Sequence, residues 1–314
     1  MMSSDKKVQK LRYWSNLLLA TIAMLAIAFY LVVPAYMAYH AIHPDRFPID
    51  SLTPMDVDLN YEEVKIVTSD GIELSGWYIP AKNGAVIIAV HAYNGNRTGV
   101  IYHAKMLADH GYGVLLFDLR AHGESKGDVF AFGWDADRDI EAAITYLQQR
   151  GDVEPGRIGA IGLSVGGEIV LQAATKYDEI KAVVAEGSGT RMLPEWLLAP
   201  EPPGRILIPG HWVFFKTGEL LSGVQQSEPL YELIPEISPT PLFLISAGAD
   251  NQINQKYYEV AQEPKTIWSR QENGHIDTLF VHPDEYEKRV IAFFDNVLLA
   301  DERLTCLSFY THLK

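Results

Sequence analysis

The chain has a single cysteine, Cys306, among 314 residues. One thiol closes no internal disulfide, which excludes a small disulfide-stapled scaffold and a zinc site built from several thiolates. Cys306 sits in the tail ERLTCLSFY with no histidine within five residues, a poor setting for a nucleophile. Basic charge is also scarce: 26 Lys and Arg stand against 40 Asp and Glu, for a net charge of −14. Four of those basic residues, Lys6, Lys7, Lys10 and Arg12, precede residue 13, so the remainder is more acidic still. Such a body repels phosphate backbones, and no basic stripe interrupts it, which excludes nucleic acid as a partner. Internal repeats and low-complexity tracts are lacking too. Hydrophobic residues make up 48% and charged residues 21%, as in an ordinary globular protein.

Between Tyr13 and Tyr39 charge of either sign is missing altogether. The core of this stretch, LLLATIAMLAIAFYLVV (Leu17–Val33), is apolar apart from Thr21 and the Tyr30 phenol. About twenty helical residues cross a bilayer core, and the stretch with its flanks reaches that length. Tyr13 and Trp14 at one end, Tyr36 and Tyr39 at the other, are placed as an aromatic belt requires. Residues 13–39 therefore read as a single-pass membrane anchor. The basic cluster ahead of it keeps the N-terminus cytoplasmic and puts the following body on the extracytoplasmic side. A cleaved signal peptide, giving a secreted protein, is the alternative. The apolar run exceeds the usual signal length, however, and no clean A-x-A site follows it.

Residues 40–61 hold several prolines and little periodicity, and read as a linker or wrapping arm. Strands and helices then alternate. Val64–Thr68 and Ile72–Ile79 flank the turn Ser69-Asp70-Gly71 and predict an antiparallel hairpin. Ala85–Val90, Val114–Phe117, Ile158–Leu163, Ala182–Ala185, Leu242–Ser246 and Thr266–Trp268 read as further strands. Apolar runs such as AVIIAV mark strands covered on both faces. Helical spacing is visible over 99–110, Asp135–Gln149, Val165–Lys176 and Tyr286–Leu298. Repeated βα units predict an α/β fold whose mostly parallel central sheet carries helices on both faces. Residues 187–239, rich in Pro, Trp and Phe, break the rhythm as an insertion.

Strand Ile158–Ile161 runs through Gly162-Leu163-Ser164-Val165-Gly166-Gly167 directly into a helix. G-x-S-x-G is a short pattern, and its weight comes from the strand before it and the helix after it. Glycines at those places let the serine stand on a tight turn with its hydroxyl above the sheet, while the Val165 N–H opens the helix towards a developing oxyanion. A serine hydroxyl needs a base and a group that orients the base. His275, in Asn273-Gly274-His275-Ile276-Asp277, follows the last strand and is the candidate general base. Asp250, on the loop leaving Phe243–Ser246, is the candidate orienting carboxylate. Glu186, also at a strand end, remains a rival, and Asp277 is too near His275 in sequence for that geometry. The loop His91-Ala92-Tyr93-Asn94-Gly95-Asn96 after strand 86–90 offers the Tyr93 backbone N–H as a second oxyanion donor, with His91 bracing the loop. Asn96-Arg97-Thr98 matches a glycosylation sequon beside the proposed site and reads as a coincidence.

The segments HAYNGN (91–96), FDLRAHGES (117–125), GLSVGG (162–167), SAGADN (246–251) and NGHID (273–277) together resemble the α/β-hydrolase superfamily over residues 62–299. The branch they resemble is that of the serine aminopeptidase-like and monoglyceride lipase-like esterases. The resemblance implies the α/β-hydrolase fold and a cap formed by residues 187–239. It also implies that Asp118, Arg120 and His122 stabilise their loop without reacting. Ala92 and Ala121 stand where the family usually has glycine.

The expected organisation is a basic N-terminus (1–12), an anchor (13–39), an arm (40–61), a hydrolase domain (62–300) with its cap, and a tail (301–314). The expected activity is hydrolysis of carboxylic esters through an acyl-enzyme. Ser164, Asp250 and His275 are its catalytic residues, and the Tyr93 and Val165 amides form its oxyanion hole. No cofactor or metal is called for. The partners are a small acyl substrate with an apolar group and, through 13–39, the membrane. A peptidase or amidase of the serine aminopeptidase type is the alternative. A non-catalytic binding module on the same fold is another, and a transporter subunit is disfavoured by the lack of intramembrane charge.

Overall fold

A computed structural model describes residues 4–49, 52–198 and 204–300. The tail 301–314, with Cys306, lies outside the described residues, as do 199–203 of the insertion.

Eight strands form one sheet: β1 (Glu62–Val67), β2 (Glu73–Ile79), β3 (Val86–Val90), β4 (Gly113–Phe117), β5 (Ile158–Leu163), β6 (Ile180–Glu186), β7 (Leu242–Ala247) and β8 (Lys265–Arg270). Their order is β1-β2-β4-β3-β5-β6-β7-β8. β1 and β2 pair antiparallel as the predicted hairpin, β2 pairs antiparallel with β4, and all later pairs are parallel. Eleven helices are described: α1 (Ser4–Ile27), α2 (Val33–Ile42), α3 (Ile101–Asp109), α4 (Asp137–Gln148), α5 (Val165–Ala174), α6 (Leu193–Leu198), α7 (Ile208–Ser222), α8 (Leu230–Leu233), α9 (Asn251–Val260), α10 (Thr278–Val281) and α11 (Pro283–Phe294).

Side-chain alternation divides the core. In the β3 region Val86, Ile88 and Val90 join a cluster with Ile140, Ile144, Ile169 and Tyr257. Ala85, Ile87 and Ala89 point the other way, into a cluster with Ile101, Leu107, Val290 and Phe294. A strand whose two faces are both covered has no polar position to spare, which is why AVIIAV is apolar throughout. α11 shows the helical counterpart: Tyr286, Val290, Ile291 and Phe294 line one face and are buried. Each such side chain adds roughly 1.5–3 kcal/mol by leaving water.

Among the described residues one helix is long and apolar enough to cross a membrane, and it runs over Lys6–Ile42, beyond the uncharged 13–39 stretch at both ends. A π-helical turn at Ala28–Val32 interrupts it just before Pro34. Proline at that place has no N–H, and its ring crowds the carbonyl four residues back, so the helix widens there. The last part of the helix is not isolated. Pro34, Ala38 and Ile42 are buried, and α2 packs against α7 of the insertion. The chain then runs extended along the body. The Arg46 guanidinium donates to the carbonyls of Gly123, Ser125 and Gly127, and Asn96 Nδ2 donates to those of Phe47 and Pro48.

The sheet order reverses at β3, which has β4 on one side and β5 on the other. The carboxyl ends of β3 and β5 therefore open onto the crevice where open α/β sheets bind ligands. The loops carrying Tyr93 and Ser164 both leave from there.

Candidate active site

Ser164 separates β5 from α5 and holds φ 54°, ψ −120°. A non-glycine residue at positive φ is strained, and such strain persists only where the surroundings enforce it. The Ser164 N–H donates to the Glu186 carbonyl at 2.8 Å, and the Glu168 N–H donates back to the Ser164 carbonyl at 3.2 Å. At Gly166 an added Cβ would lie 2.5 Å from the Val90 carbonyl oxygen and 2.7 Å from that of His91. The first turn of α5 thus rests directly on the end of β3.

His275 lies between the two groups proposed as its partners. Its Nε2 is 2.9 Å from Ser164 Oγ, and its Nδ1 is 2.6 Å from Asp250 Oδ2. A carboxylate only accepts, so Nδ1–H donates to Asp250 and the Nε2 lone pair is left for the serine hydroxyl. The bond from Asp250 raises the His275 imidazole above its ordinary 6.5, against a smaller opposing effect of burial, and the charges of Asp250, Glu186 and Glu168 add to the rise. Asp250 is held in turn by α9, where Asn254 Nδ2 donates to the carbonyls of Asp250 and Ser188. Gly187, at φ 64°, passes under the imidazole. A Cβ there would come within 3.1 Å of His275 Nδ1, so the backbone supports the ring at van der Waals range.

The rival carboxylates are committed elsewhere. Glu186 is fully buried and accepts from the Thr278 N–H at 3.1 Å and the Tyr286 hydroxyl at 2.9 Å. Asp277 pairs with the Arg270 guanidinium. Two other histidines near the site are buried and held neutral, pushed by burial to about 4 at His91 and about 3 at His122. His91 spans its loop to β4: Nδ1 donates to the Ala92 carbonyl at 2.7 Å, and Nε2 accepts from the Leu119 N–H at 3.0 Å. Among the described residues neither the Tyr93 nor the Val165 backbone N–H has a hydrogen-bond acceptor. The Tyr93 hydroxyl donates to the Ala41 carbonyl at 2.9 Å, and the Phe130 N–H to that of Ile42 at 2.9 Å, so α2 ends against the same loop. Asn96, of the sequon, caps its own turn by accepting from the Thr98 N–H at 2.9 Å.

The DLRAHGES loop is built on buried ions. Asp118 accepts from the backbone N–H groups of Arg97 and Glu124. Arg120 meets Asp139, Asp135 and Asp70 at 2.8–2.9 Å. Ala121 stands at φ 62°, a conformation a glycine takes without strain.

The root of the insertion is tied down near the site by a further buried polar set. Glu168, in the first turn of α5, accepts from the Gly189 N–H at 2.9 Å, and burial raises its carboxyl to about 7. Glu195 accepts from the N–H groups of Arg191 and Leu230, both at 2.6 Å. Sequence reasoning missed Gly187, Asn254 and this set. Glu168, Glu195 and Asn254 are polar residues inside helices, which by themselves read as solvent-facing, and Gly187 is a lone glycine after a strand.

Known proteins resemble this chain along most of its length. Residues 70–200 match the family model of the X-Pro dipeptidyl-peptidases (S15 family). The Escherichia coli K12 uncharacterized protein YfhR is 30% identical over 287 residues, covering 87% of this chain and 95% of that one. A solved esterase from Pyrococcus furiosus superposes with a TM-score of 0.68 at 26% identity, covering 82% of this chain and 99% of the other. A dienelactone hydrolase from Anabaena variabilis shares the fold with a TM-score of 0.54 at 17% identity, over 76% and 99% of the two chains. The sheet order, the strained serine between β5 and α5 and these likenesses agree: the chain belongs to the α/β-hydrolase superfamily.

Proposed function

We propose that the protein is a membrane-anchored serine hydrolase that opens carboxylic esters through an acyl-enzyme. The observation that carries this reading is the position of His275, 2.9 Å from Ser164 Oγ and 2.6 Å from Asp250 Oδ2. Ser164 Oγ attacks the ester carbonyl as His275 Nε2 takes its proton, and Asp250 stabilises the imidazolium. The carbonyl oxygen gains negative charge and is met by the Tyr93 and Val165 N–H groups, the latter at the positive end of α5. Collapse of this intermediate breaks the bond to the alcohol, which leaves with the proton from His275. Water activated by the same histidine then releases the acid. Labelling by a fluorophosphonate probe tests the reading. Ser164→Ala should abolish it, and undiminished labelling of that variant would refute the assignment.

The match to a dipeptidyl-peptidase model favours a second reading, cleavage of a peptide bond by the same groups. A chain-length series of p-nitrophenyl esters run beside aminoacyl p-nitroanilides separates the two. Faster turnover of the anilides would favour the peptidase.

The N-terminal helix is proposed as a retained anchor, with the basic end cytoplasmic and the body outside. Burial of Pro34, Ala38 and Ile42 against the body supports retention, since cleavage ahead of residue 43 would uncover their partners. Protease protection in sealed spheroplasts checks the orientation. Cleavage of the body only from the cytoplasmic side would overturn it.

A further inference from the structure

α7 lies along the half of the N-terminal helix nearest the body, and between them is an apolar cleft of about 300 Å³. Phe29, Val33 and Met37 form one wall; Leu207, His211 and Phe214 form the other. Its polar side chains are the Tyr30 phenol and His211, and the imidazole is turned to its own helix, with Nδ1 3.1 Å from the Leu207 carbonyl and the ring stacked on Trp196. The π-helical turn at Ala28–Val32 borders the same space.

Three features fix what medium this cleft meets. From Trp14 to Tyr36 the helix rises about 33 Å, close to the ~30 Å hydrocarbon core that aromatic belts bracket. Phe29 and Val33 then lie within the leaflet on the body's side, and α7 must enter that leaflet to touch them. The near end of the insertion is suited to that depth: Ile206, Leu207 and Trp212 are exposed, and Ile208–Phe215 carries no Asp, Glu, Lys or Arg.

The cleft also points at the site. Phe214 packs on Phe132 at 5.0 Å between ring centroids, in the turn that follows Phe130. The Phe130 ring lies 5.9 Å from Tyr93, whose N–H is the proposed oxyanion donor. Tyr93 in turn reaches Ala41 of the helix. Along that helix the cleft residues stand about 6–18 Å from Ala41, within the span of a fatty-acyl chain.

The geometry points to an acyl-chain site: the cleft between residues 29–37 and 207–214 takes the hydrocarbon chain of a membrane-embedded ester and leads its carbonyl towards Ser164. This rests on the ester-hydrolase and anchor readings above and names the substrate class, a lipid ester drawn sideways from the bilayer.

The test uses the full chain in phospholipid vesicles. Val33→Trp and Met37→Trp fill the cleft from exposed positions remote from the reacting groups. Hydrolysis of p-nitrophenyl palmitate in the bilayer should fall at least ~10-fold, while hydrolysis of p-nitrophenyl acetate from water stays within about twofold. A diazirine-bearing palmitate should label 207–214 in the Ser164→Ala protein, saturably against unlabelled palmitate, and lose that labelling on Val33→Trp. Unchanged palmitate hydrolysis in both filled variants would overturn the site, as would non-saturable labelling. Saturable labelling in a protein that hydrolyses neither ester would uphold the acyl site and refute the hydrolase. Acetate hydrolysis without saturable labelling would do the reverse.

Discussion

The Asp250 carboxylate is 2.6 Å from His275 Nδ1 and sets both the tautomer and the basicity of that ring. The proposed reaction needs the imidazole neutral. Because its pKa lies above 6.5, activity should fall as pH drops through a value higher than an unpaired histidine would give. Asp250→Asn removes the main cause of the rise, so the acid limb of kcat/KM should move to lower pH while kcat drops by about 10⁴. A pH–rate profile of both proteins measures this. An acid limb that stays in place would mean that His275 is not the titrating base.

Tyr93 separates two possible contributions. Tyr93→Phe keeps the backbone N–H and removes the hydroxyl bound to Ala41. Stability should drop by about 1 kcal/mol, the ordinary worth of one hydrogen bond. Ester hydrolysis should change little, whereas loss of an oxyanion donor costs about 10²–10³ in kcat. Urea unfolding and steady-state kinetics on one preparation decide it.

Gly166 tolerates no side chain. The carbonyls of Val90 and His91 would stand 2.5 and 2.7 Å from a new Cβ, and both belong to backbone that cannot swing aside. Gly166→Ala should cost about 1–3 kcal/mol through overpacking. It should also shift the loop bearing Tyr93, lowering both the denaturant midpoint and fluorophosphonate labelling of Ser164.

Arg120 joins one carboxylate that water does not reach, Asp139, to two that are partly exposed, Asp70 and Asp135. Asp139 is fully buried, and burial raises it to about 6 even beside the guanidinium. Arg120→Met would leave the buried Asp139 without its ion-pair partner and should destabilise by about 3–5 kcal/mol. Arg120→Lys should recover only part of this, since one ammonium cannot serve three carboxylates in a plane. Chemical denaturation of the two variants checks the order.

The strands and the serine turn were legible because each rests on local chemistry. A run such as AVIIAV can only be covered on both faces, and Gly162–Gly167 spells a turn that a bulky residue would block. His275 and Asp250 were legible through their place after strands. α9 was not, since its buried face includes Asn254, and NQINQKYYEV shows no clean apolar stripe. α7 was not, because one side of it meets Phe132 and Trp134 while another meets α2, leaving no single period to read. Nothing near Glu186 in sequence announces that its oxygens are spent on Thr278 and Tyr286, more than ninety residues away.

The extended stretch after α2 has a consequence for how the protein meets its substrate. Arg46 fastened to three carbonyls, with Asn96 holding Phe47 and Pro48, leaves no slack between helix and body. With that helix held in a bilayer, the mouth of the site keeps a constant height and heading above the surface. On the proposed reading of an anchored lipid-ester hydrolase, encounter is a lateral search in two dimensions, and its rate should follow the surface density of the ester, not its concentration in the surrounding water.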